Sequence, residues 1–90
     1  MVKVEARPDA DGWTCQVDVD HGGERTQHTV KVSAADQARW GRGDQPRDVE
    51  ELVERSFEFL LTREPPSSIL RRFDLSTIQR YFPEYDHEIG

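Results

Sequence analysis

The sequence predicts an α+β domain, in which a three-stranded antiparallel β-meander is followed by a short helix, one long helix packed on the sheet and short C-terminal helical turns. Apolar and polar residues alternate through the first third of the chain, and from residue 46 onward apolar residues recur every three or four positions. The first period is that of half-buried strands and the second that of helices buried on one side. Ninety residues suit a single domain. We expect the meander over 1–33, a helical layer over 34–62 and a C-terminal helical clasp over 67–85.

Turn residues divide the first third of the chain into three strands. The first strand alternates over 2–7, and the turn residues PDADG follow it at 8–12. A diglycine at 22–23 suits the second turn, because both positions of a tight two-residue hairpin loop need a positive φ. This loop sets Val19 opposite Thr26, Val17 opposite His28, Cys15 opposite Val30 and Trp13 opposite Val32, all on the apolar face. On the other face it pairs Asp20 with Arg25, two opposite charges.

The second strand is predicted to be central in this meander, which leaves the first and third strands at the edges of the sheet. Lys3 and Lys31, the only two lysines, fall on these two predicted edges. A lysine on an edge strand discourages unwanted pairing, although an exposed edge can also extend a sheet with a partner. We therefore expect both edge strands to resist unwanted pairing and still to allow regulated pairing with a strand of a partner.

Capping residues and prolines mark the helices. Ser33 is predicted as the N-cap of a short helix that ends at Gly41. A longer helix is predicted to begin near Pro46, with acidic residues in its first turn, and to end before Pro65. Its predicted buried stripe consists of Val49, Leu52, Val53, Phe57, Leu60 and Leu61, with Ser56 as a small polar gap.

The predicted clasp combines apolar residues at helical spacing with arginines. Two helical segments are expected in it, Ser68 to Phe73 and Leu75 to Phe82. Their apolar side is expected to pack on the long helix or on the sheet edge, and consists of Ile69, Leu70, Phe73, Leu75, Ile78, Tyr81 and Phe82. The arginines then point away, where they can pair with the acidic stripe of the long helix, Glu50, Glu54 and Glu58.

A functional interpretation of the same segment is an Arg/Tyr surface for a protein partner. Arginine and tyrosine are enriched among the residues that anchor protein interfaces. The candidate partner-binding residues are Arg71, Arg72, Arg80, Tyr81 and Tyr85. An acidic protein partner would suit this surface.

No motif for catalysis or for a bound group is recognised in the chain. Cys15 and His28 share a strand face and could line a pocket, yet no third group is present to orient them. Asp18, Asp20 and His21 could converge at a hairpin tip, but such a tip is more typical of a solvated turn than of a metal site. We expect a non-enzymatic protein with no metal and no cofactor.

The net charge and the composition limit the classes of partner that we expect. The net charge of −6 opposes loose binding to nucleic acid, because a phosphate backbone repels an acidic surface. No apolar run approaches the ~20 residues of a membrane span, and no signal-like segment follows Met1. The single cysteine cannot form an internal disulfide. We expect a cytoplasmic protein that does not engage a membrane.

The segment SFEFLLTREPPSSILRRFDLSTIQRYFPEY, residues 56–85, resembles small bacterial proteins of about this length that carry no assigned function. The resemblance implies a freestanding domain and supplies no catalytic or binding residues. We therefore expect a module that binds another protein or associates with itself. The alternative is a nucleic-acid-associated regulator that uses the C-terminal Arg/Tyr face, with Arg71, Arg72 and Arg80 on the phosphates.

Overall fold

The computed structural model describes residues 1–89 and shows an α+β chain built on one four-stranded mixed sheet. The strands are β1 (Val2–Asp9), β2 (Gly12–His21), β3 (Glu24–Ser33) and β4 (Arg72–Asp74), in that order across the sheet. The helices are α1 (Ala34–Trp40), α2 (Pro46–Leu61), α3 (Ser76–Tyr81) and α4 (Tyr85–Ile89), with a single 3-10 turn at Pro66–Ser68. No helix within residues 1–89 has both the length and the apolar composition needed to cross a membrane.

The hairpin of β2 and β3 has the predicted register. Gly22 and Gly23 form the tight turn, with φ values of +59° and +82°. Beyond the turn, Val17 lies opposite His28, as the position of the loop requires. On the face turned away from the helices, the predicted charge pair is also present, with Arg25 Nε 3.3 Å from Asp20 Oδ2. Turn chemistry and the alternation of faces agree, and the predicted pairing is confirmed.

The structure contains a fourth strand where the sequence pattern predicted helix. Residues 72–74 form β4 and pair in parallel with β3. The middle residue of β4 is buried between two exposed ones, which is the alternation of a strand. The prediction of a helical segment from Ser68 to Phe73 is therefore wrong. The prediction that β3 is a free edge is also wrong from Thr29 to Lys31, where β4 covers it.

Backbone hydrogen bonds at both ends of β4 explain this outcome. The Thr29 amide donates to the Arg71 carbonyl at 2.7 Å, and the Leu75 amide donates to the Lys31 carbonyl at 2.9 Å. A three-stranded meander leaves donors and acceptors along β3 that need partners, and the C-terminal segment supplies them. Apolar spacing within that segment does not reveal this pairing, because the partner strand lies in the first third of the chain.

The predicted ends of α1 and the predicted start of α2 are confirmed. Ser33 Oγ accepts from the Asp36 amide at 3.0 Å, and the Gly41 amide donates to the Gln37 carbonyl at 2.8 Å, where α1 ends. The long helix α2 begins at Pro46. Caps and prolines act on residues next to them in sequence, so their effects are predictable without tertiary contacts.

The long helix α2 covers one face of the sheet and is buried on two sides. Its buried residues are Val49, Leu52, Val53, Ser56, Phe57, Phe59 and Leu60. They share one core with the apolar face of the sheet, Ala6, Cys15, Val17, Val19, Val30 and Val32. The predicted stripe is wrong at Leu61, which is only half-buried. Phe59 is buried instead, with its ring 5.3 Å from that of Tyr85 and 5.9 Å from that of Phe82.

The C-terminal residues fold back onto α1 and α2. Tyr85 Oη lies 2.7 Å from Ser56 Oγ in the core. Asp86 accepts a hydrogen bond from Trp40 Nε1 at 2.7 Å and another from Gln79 Nε2 at 2.6 Å, and so joins α1, α3 and α4. The hydrogen bond from Trp40, followed by that from Gln79, lowers the pKa of Asp86. The C-terminal segment therefore holds both the sheet edge, through β4, and the long helix, through α4.

Gly22 provides a test of the hairpin turn. Asparagine adopts its positive φ with little strain, whereas a β-branched residue does not. No atom lies within 4 Å of the place where a Cβ would sit, so the two side chains differ mainly in backbone strain. We expect Gly22→Val to lower the free energy of unfolding by about 1–2 kcal/mol more than Gly22→Asn, measured by urea denaturation. Equal losses for the two variants would contradict the positive φ at this position.

Tyr85 provides a test of the buried hydrogen bond to Ser56. In Tyr85→Phe the ring stays packed and only the hydroxyl is lost, while Ser56 Oγ still donates to the Leu52 carbonyl at 2.7 Å. We expect the free energy of unfolding to fall by about 1 kcal/mol. Tyr81→Phe is the matched control, because Tyr81 is exposed, and its effect should stay within about 0.5 kcal/mol of zero. Indistinguishable thermal melts for the two variants would show that the hydrogen bond does not stabilise the fold.

Candidate functional site

The predicted partner-binding residues differ in their exposure to solvent. Arg71, Arg72, Arg80 and Tyr81 are exposed, but Tyr85 is fully buried. Its ring packs edge-on against the rings of two other core aromatics, and its hydroxyl is used inside the core. The prediction that Tyr85 belongs to an exposed surface is therefore wrong. The pattern indicated a helix that stops before a proline, whereas the chain turns back after that proline and begins α4.

The three arginines do not form one surface. Arg72 is paired in register with Thr29, so it lies on the face of the sheet that the helices leave open. Arg71 borders a shallow depression on that side of the sheet, together with Asp18 and Arg25. Arg80 lies instead in the last turn of α3.

The acidic stripe of α2 is not the partner of these arginines. Among the ion pairs within residues 1–89, none involves Arg71, Arg72 or Arg80. Glu50, the first residue of the predicted stripe, instead accepts a hydrogen bond from the Ala6 amide at 2.9 Å. The arginine side chains therefore remain at the surface.

An apolar groove of about 330 Å³ lies between the end of α2, the turn that follows it, and α3. We call it the Leu70–Tyr81 groove. Its lining consists of Leu60, Glu64, Ser68, Ile69, Leu70, Phe73, Thr77, Ile78, Tyr81 and Phe82. Leu70 is 52% exposed and Tyr81 is 70% exposed. Within residues 1–89, Met1 is the other large apolar residue with a mostly exposed side chain, so the exposed apolar surface is concentrated at this groove.

The turn after α2 explains why Leu70 points outward. Pro66 and Ile69 are buried, so the backbone of the turn lies against the core. The Leu70 carbonyl accepts a hydrogen bond from His28 Nδ1 at 2.8 Å, and the next carbonyl, that of Arg71, accepts from the amide of Thr29. In extended backbone, neighbouring side chains point to opposite sides. Because the Ile69 side chain points inward, that of Leu70 is left at the rim of the groove.

His28 links this rim to the interior of the protein. Its imidazole is buried, with its centroid 5.2 Å from that of Phe57. A carbonyl can only accept, so Nδ1 carries the proton that is donated to Leu70, and Nε2 accepts from Thr26 Oγ1 at 2.8 Å. Burial lowers the pKa of His28 from its ordinary 6.5, the hydrogen bond to Leu70 opposes this, and the charge of Arg71 lowers it further. The neutral imidazole is therefore the form that holds the rim.

The two other candidate sites, the pair Cys15 and His28 and the hairpin tip, lack the geometry needed for catalysis and for metal binding. Cys15 is fully buried, and burial raises the pKa of its thiol to about 12, with the charge of Glu50 adding to the effect. Both ring nitrogens of His28 are hydrogen-bonded to other groups, so His28 does not activate Cys15. At the hairpin tip Asp20 is paired with Arg25, and residues 1–89 contain no group of three or more side chains arranged to hold a metal ion.

The edge of the sheet at β1 is partly closed. Ala6 directs its amide away from β2 and donates it to Glu50 Oε2. Alternate residues of a strand direct their amides to the same side, so the amides of Val2 and Val4 also point outward. Pro8, on the same side, has no amide hydrogen to offer. A partner strand would find two free donors here, which makes the edge a poorer docking surface than the groove.

Part of the groove lining was predicted from the sequence, but as the buried side of a helical clasp. Most residues of its floor, including Ile69, Phe73 and Ile78, were predicted to lie on the buried side of the clasp. Leu70 was assigned to the same buried side, and that prediction is wrong. The diproline at 65–66 marked the end of α2 but gave no signal for Leu70, because proline restricts the residue before it and the next residues, Pro66–Ser68, form a 3-10 turn. Glu64 was missed, since only the tertiary fold brings the end of α2 beside α3.

His28 gives the site a predicted pH dependence. Because its pKa is lowered in the folded protein, the unfolded chain binds more protons below pH 6.5, so folding free energy is lost as the pH falls below that value. We expect the free energy of unfolding between about pH 8 and pH 5 to depend less on pH in His28→Gln than in the wild type. His21→Gln is the matched control, at an exposed histidine, and should keep the wild-type dependence. An unchanged pH dependence in His28→Gln would rule out this role.

Comparisons with protein-family models, with curated proteins and with solved structures found no match to this chain. The resemblance of residues 56–85 to small bacterial proteins therefore stays a prediction.

Proposed function

We propose that this chain is a cytoplasmic, non-enzymatic module that binds a protein through the Leu70–Tyr81 groove. The observation that supports this proposal most directly is the position of Leu70 and Tyr81, which stand largely exposed beside an apolar cavity. Exposed apolar side chains grouped around a concavity are typical of binding sites on soluble proteins. Tyrosine is also among the residues that most often anchor an interface.

The lining of the groove indicates the chemistry of the partner. A cavity of about 330 Å³ suits one or two large apolar side chains of a docked peptide. Glu64 is the only charged residue of the lining, while Ser68 and Thr77 can supply hydrogen bonds. A partner segment that presents an apolar side chain next to an arginine or lysine would therefore complement the groove in both shape and charge.

The ionisable groups of the groove favour binding over catalysis. Glu64 and the phenol of Tyr81 are the ionisable side chains of its lining. Nucleophilic catalysis by a side chain needs a nucleophile activated by a base that a third group orients, and Glu64 and Tyr81 alone do not form that set. The lining is thus the kind that recognises an apolar side chain.

The alternative function, nucleic-acid association through the C-terminal Arg/Tyr face, has less support. Tyr85 is buried, and Arg72 shares the open face of the sheet with carboxylates such as Asp18 and Asp74. A phosphate-binding surface needs concentrated positive charge, whereas the whole chain carries −6.

Selection from a displayed random-peptide library tests the proposed function. We expect wild-type protein to enrich peptides with a large apolar residue next to arginine or lysine. The double variant Leu70→Ser, Tyr81→Ser should bind the same peptides at least about tenfold more weakly, because it removes both exposed anchors of the rim. Both positions are more than half exposed, so the variant should fold like the wild type, which circular dichroism will check.

The matched control is Gln16→Ser, a substitution at an exposed position on the open face of the sheet. It should leave the affinity of the selected peptides unchanged. Peptides that bind the double variant as tightly as the wild type would contradict the assignment of the groove. A library that yields no binding peptide at all would contradict the proposal of a peptide-binding module.

A further inference from the structure

We infer that the partner of the Leu70–Tyr81 groove is a second copy of this chain, docked so that the two grooves face each other across a two-fold axis. The inference rests on the proposed function, because it names the partner of the same groove. It is carried by the self-complementary character of the surface, in shape and in charge.

The shape of the surface satisfies the requirement of a two-fold contact. In such a contact the same patch is used on both subunits, so it must contain both protruding side chains and a cavity that receives them. Leu70 and Tyr81 protrude, and the cavity of about 330 Å³ lies between them and the end of α2. Docking two copies would cover Leu70 and Tyr81 of each copy at once.

The charges next to the groove are complementary to its lining. The occupant that suits Glu64 is an apolar side chain beside a basic residue. This chain presents that combination on α3, as Arg80 followed by Tyr81. Arg80 is exposed, and among residues 1–89 it takes part in no ion pair. A second copy thus brings Arg80, beside its Tyr81 anchor, toward the Glu64 of the first.

The size and charge of the chain set the expected strength of association. A standard interface buries about 800 Å² per partner, which is about one seventh of the 5581 Å² of accessible surface here. The contact must therefore extend from the groove over α3 and the turn before β4. Each copy carries a net charge of −6, so long-range repulsion opposes the encounter and salt weakens that repulsion. We expect a micromolar dimer that tightens at moderate salt, unlike a nucleic-acid complex, which salt weakens.

Sedimentation equilibrium of the full chain over a concentration series tests the inference. The wild type should be a dimer at high concentration, and Leu70→Glu and Tyr81→Glu should each weaken dimerisation at least about tenfold, since each places a charge in the apolar contact. Ala35→Glu is the charge-matched control. It adds the same charge at an exposed position in the first turn of α1, where a negative charge is favourable, and should dimerise like the wild type.

Two further readouts separate an interface role from a structural one. All variants should show the circular dichroism spectrum and thermal melt of the wild type when dilute. Dilution of the labelled wild-type protein should shift amide resonances around the groove, including those of Leu70 and Tyr81. These shifts should be absent on the open face of the sheet, for example at Gln16. Shifts confined to the open face or to β1 would overturn the inference.

The outcomes also distinguish failure of the inference from failure of the proposed function. A wild-type protein that stays monomeric throughout the series overturns the inference, while peptides that require Leu70 and Tyr81 would still support the groove as a binding site. A dimer that Tyr81→Glu leaves intact overturns the inference too, because another surface then forms the contact. Loss of the dimer in both glutamate variants, with selected peptides competing against the dimer, supports both.

Discussion

The attachment of residues 70–75 to β3 is the contact on which the C-terminal third of the structure depends. Hydrogen bonds from Thr29 to the Arg71 carbonyl and from Leu75 to the Lys31 carbonyl place β4 on the sheet, and His28 holds the carbonyl of Leu70. Without β4 these groups would be bonded to water at the edge of the sheet, so each of these hydrogen bonds to the C-terminal segment contributes a modest net free energy. Once the backbone lies in this position, the side chain of Leu70 points to solvent. The groove is therefore a consequence of how the sheet edge is completed.

Two tyrosines that lie close together in sequence differ in exposure because of the way the helices pack. Tyr85 is enclosed by aromatic rings and bonded to Ser56, a small residue in the middle of α2 that leaves room for it. Tyr81 lies at the end of α3 and faces the groove, where no element covers it. The buried ring stabilises the fold, whereas the exposed ring belongs to the proposed binding surface. The two rings have different surroundings because the chain reverses direction between them.

His28 connects the interior with the proposed binding surface. It is a core residue of β3 whose hydrogen bond ends on the rim of the groove, so protonation would place a charge beside Phe57 and near Arg71. A buried charge in such surroundings is unfavourable. The geometry of the rim and the stability of the core are therefore coupled through one side chain, and a partner that binds the groove would act on both.

The sequence by itself determined those features that depend on residues close together along the chain. The diglycine turn determined the pairing of β2 with β3, Ser33 and Gly41 bounded α1, and Pro46 marked the start of α2. Only the tertiary structure decided that residues 72–74 form a strand, that Tyr85 is buried, and that the end of α2 and α3 enclose a groove. The physical reason is that each of these outcomes depends on a partner far away in sequence: an unpaired strand edge, a gap above Ser56, or a second helix. Local periodicity reports which side of a segment is apolar, but it does not report what, if anything, covers that side.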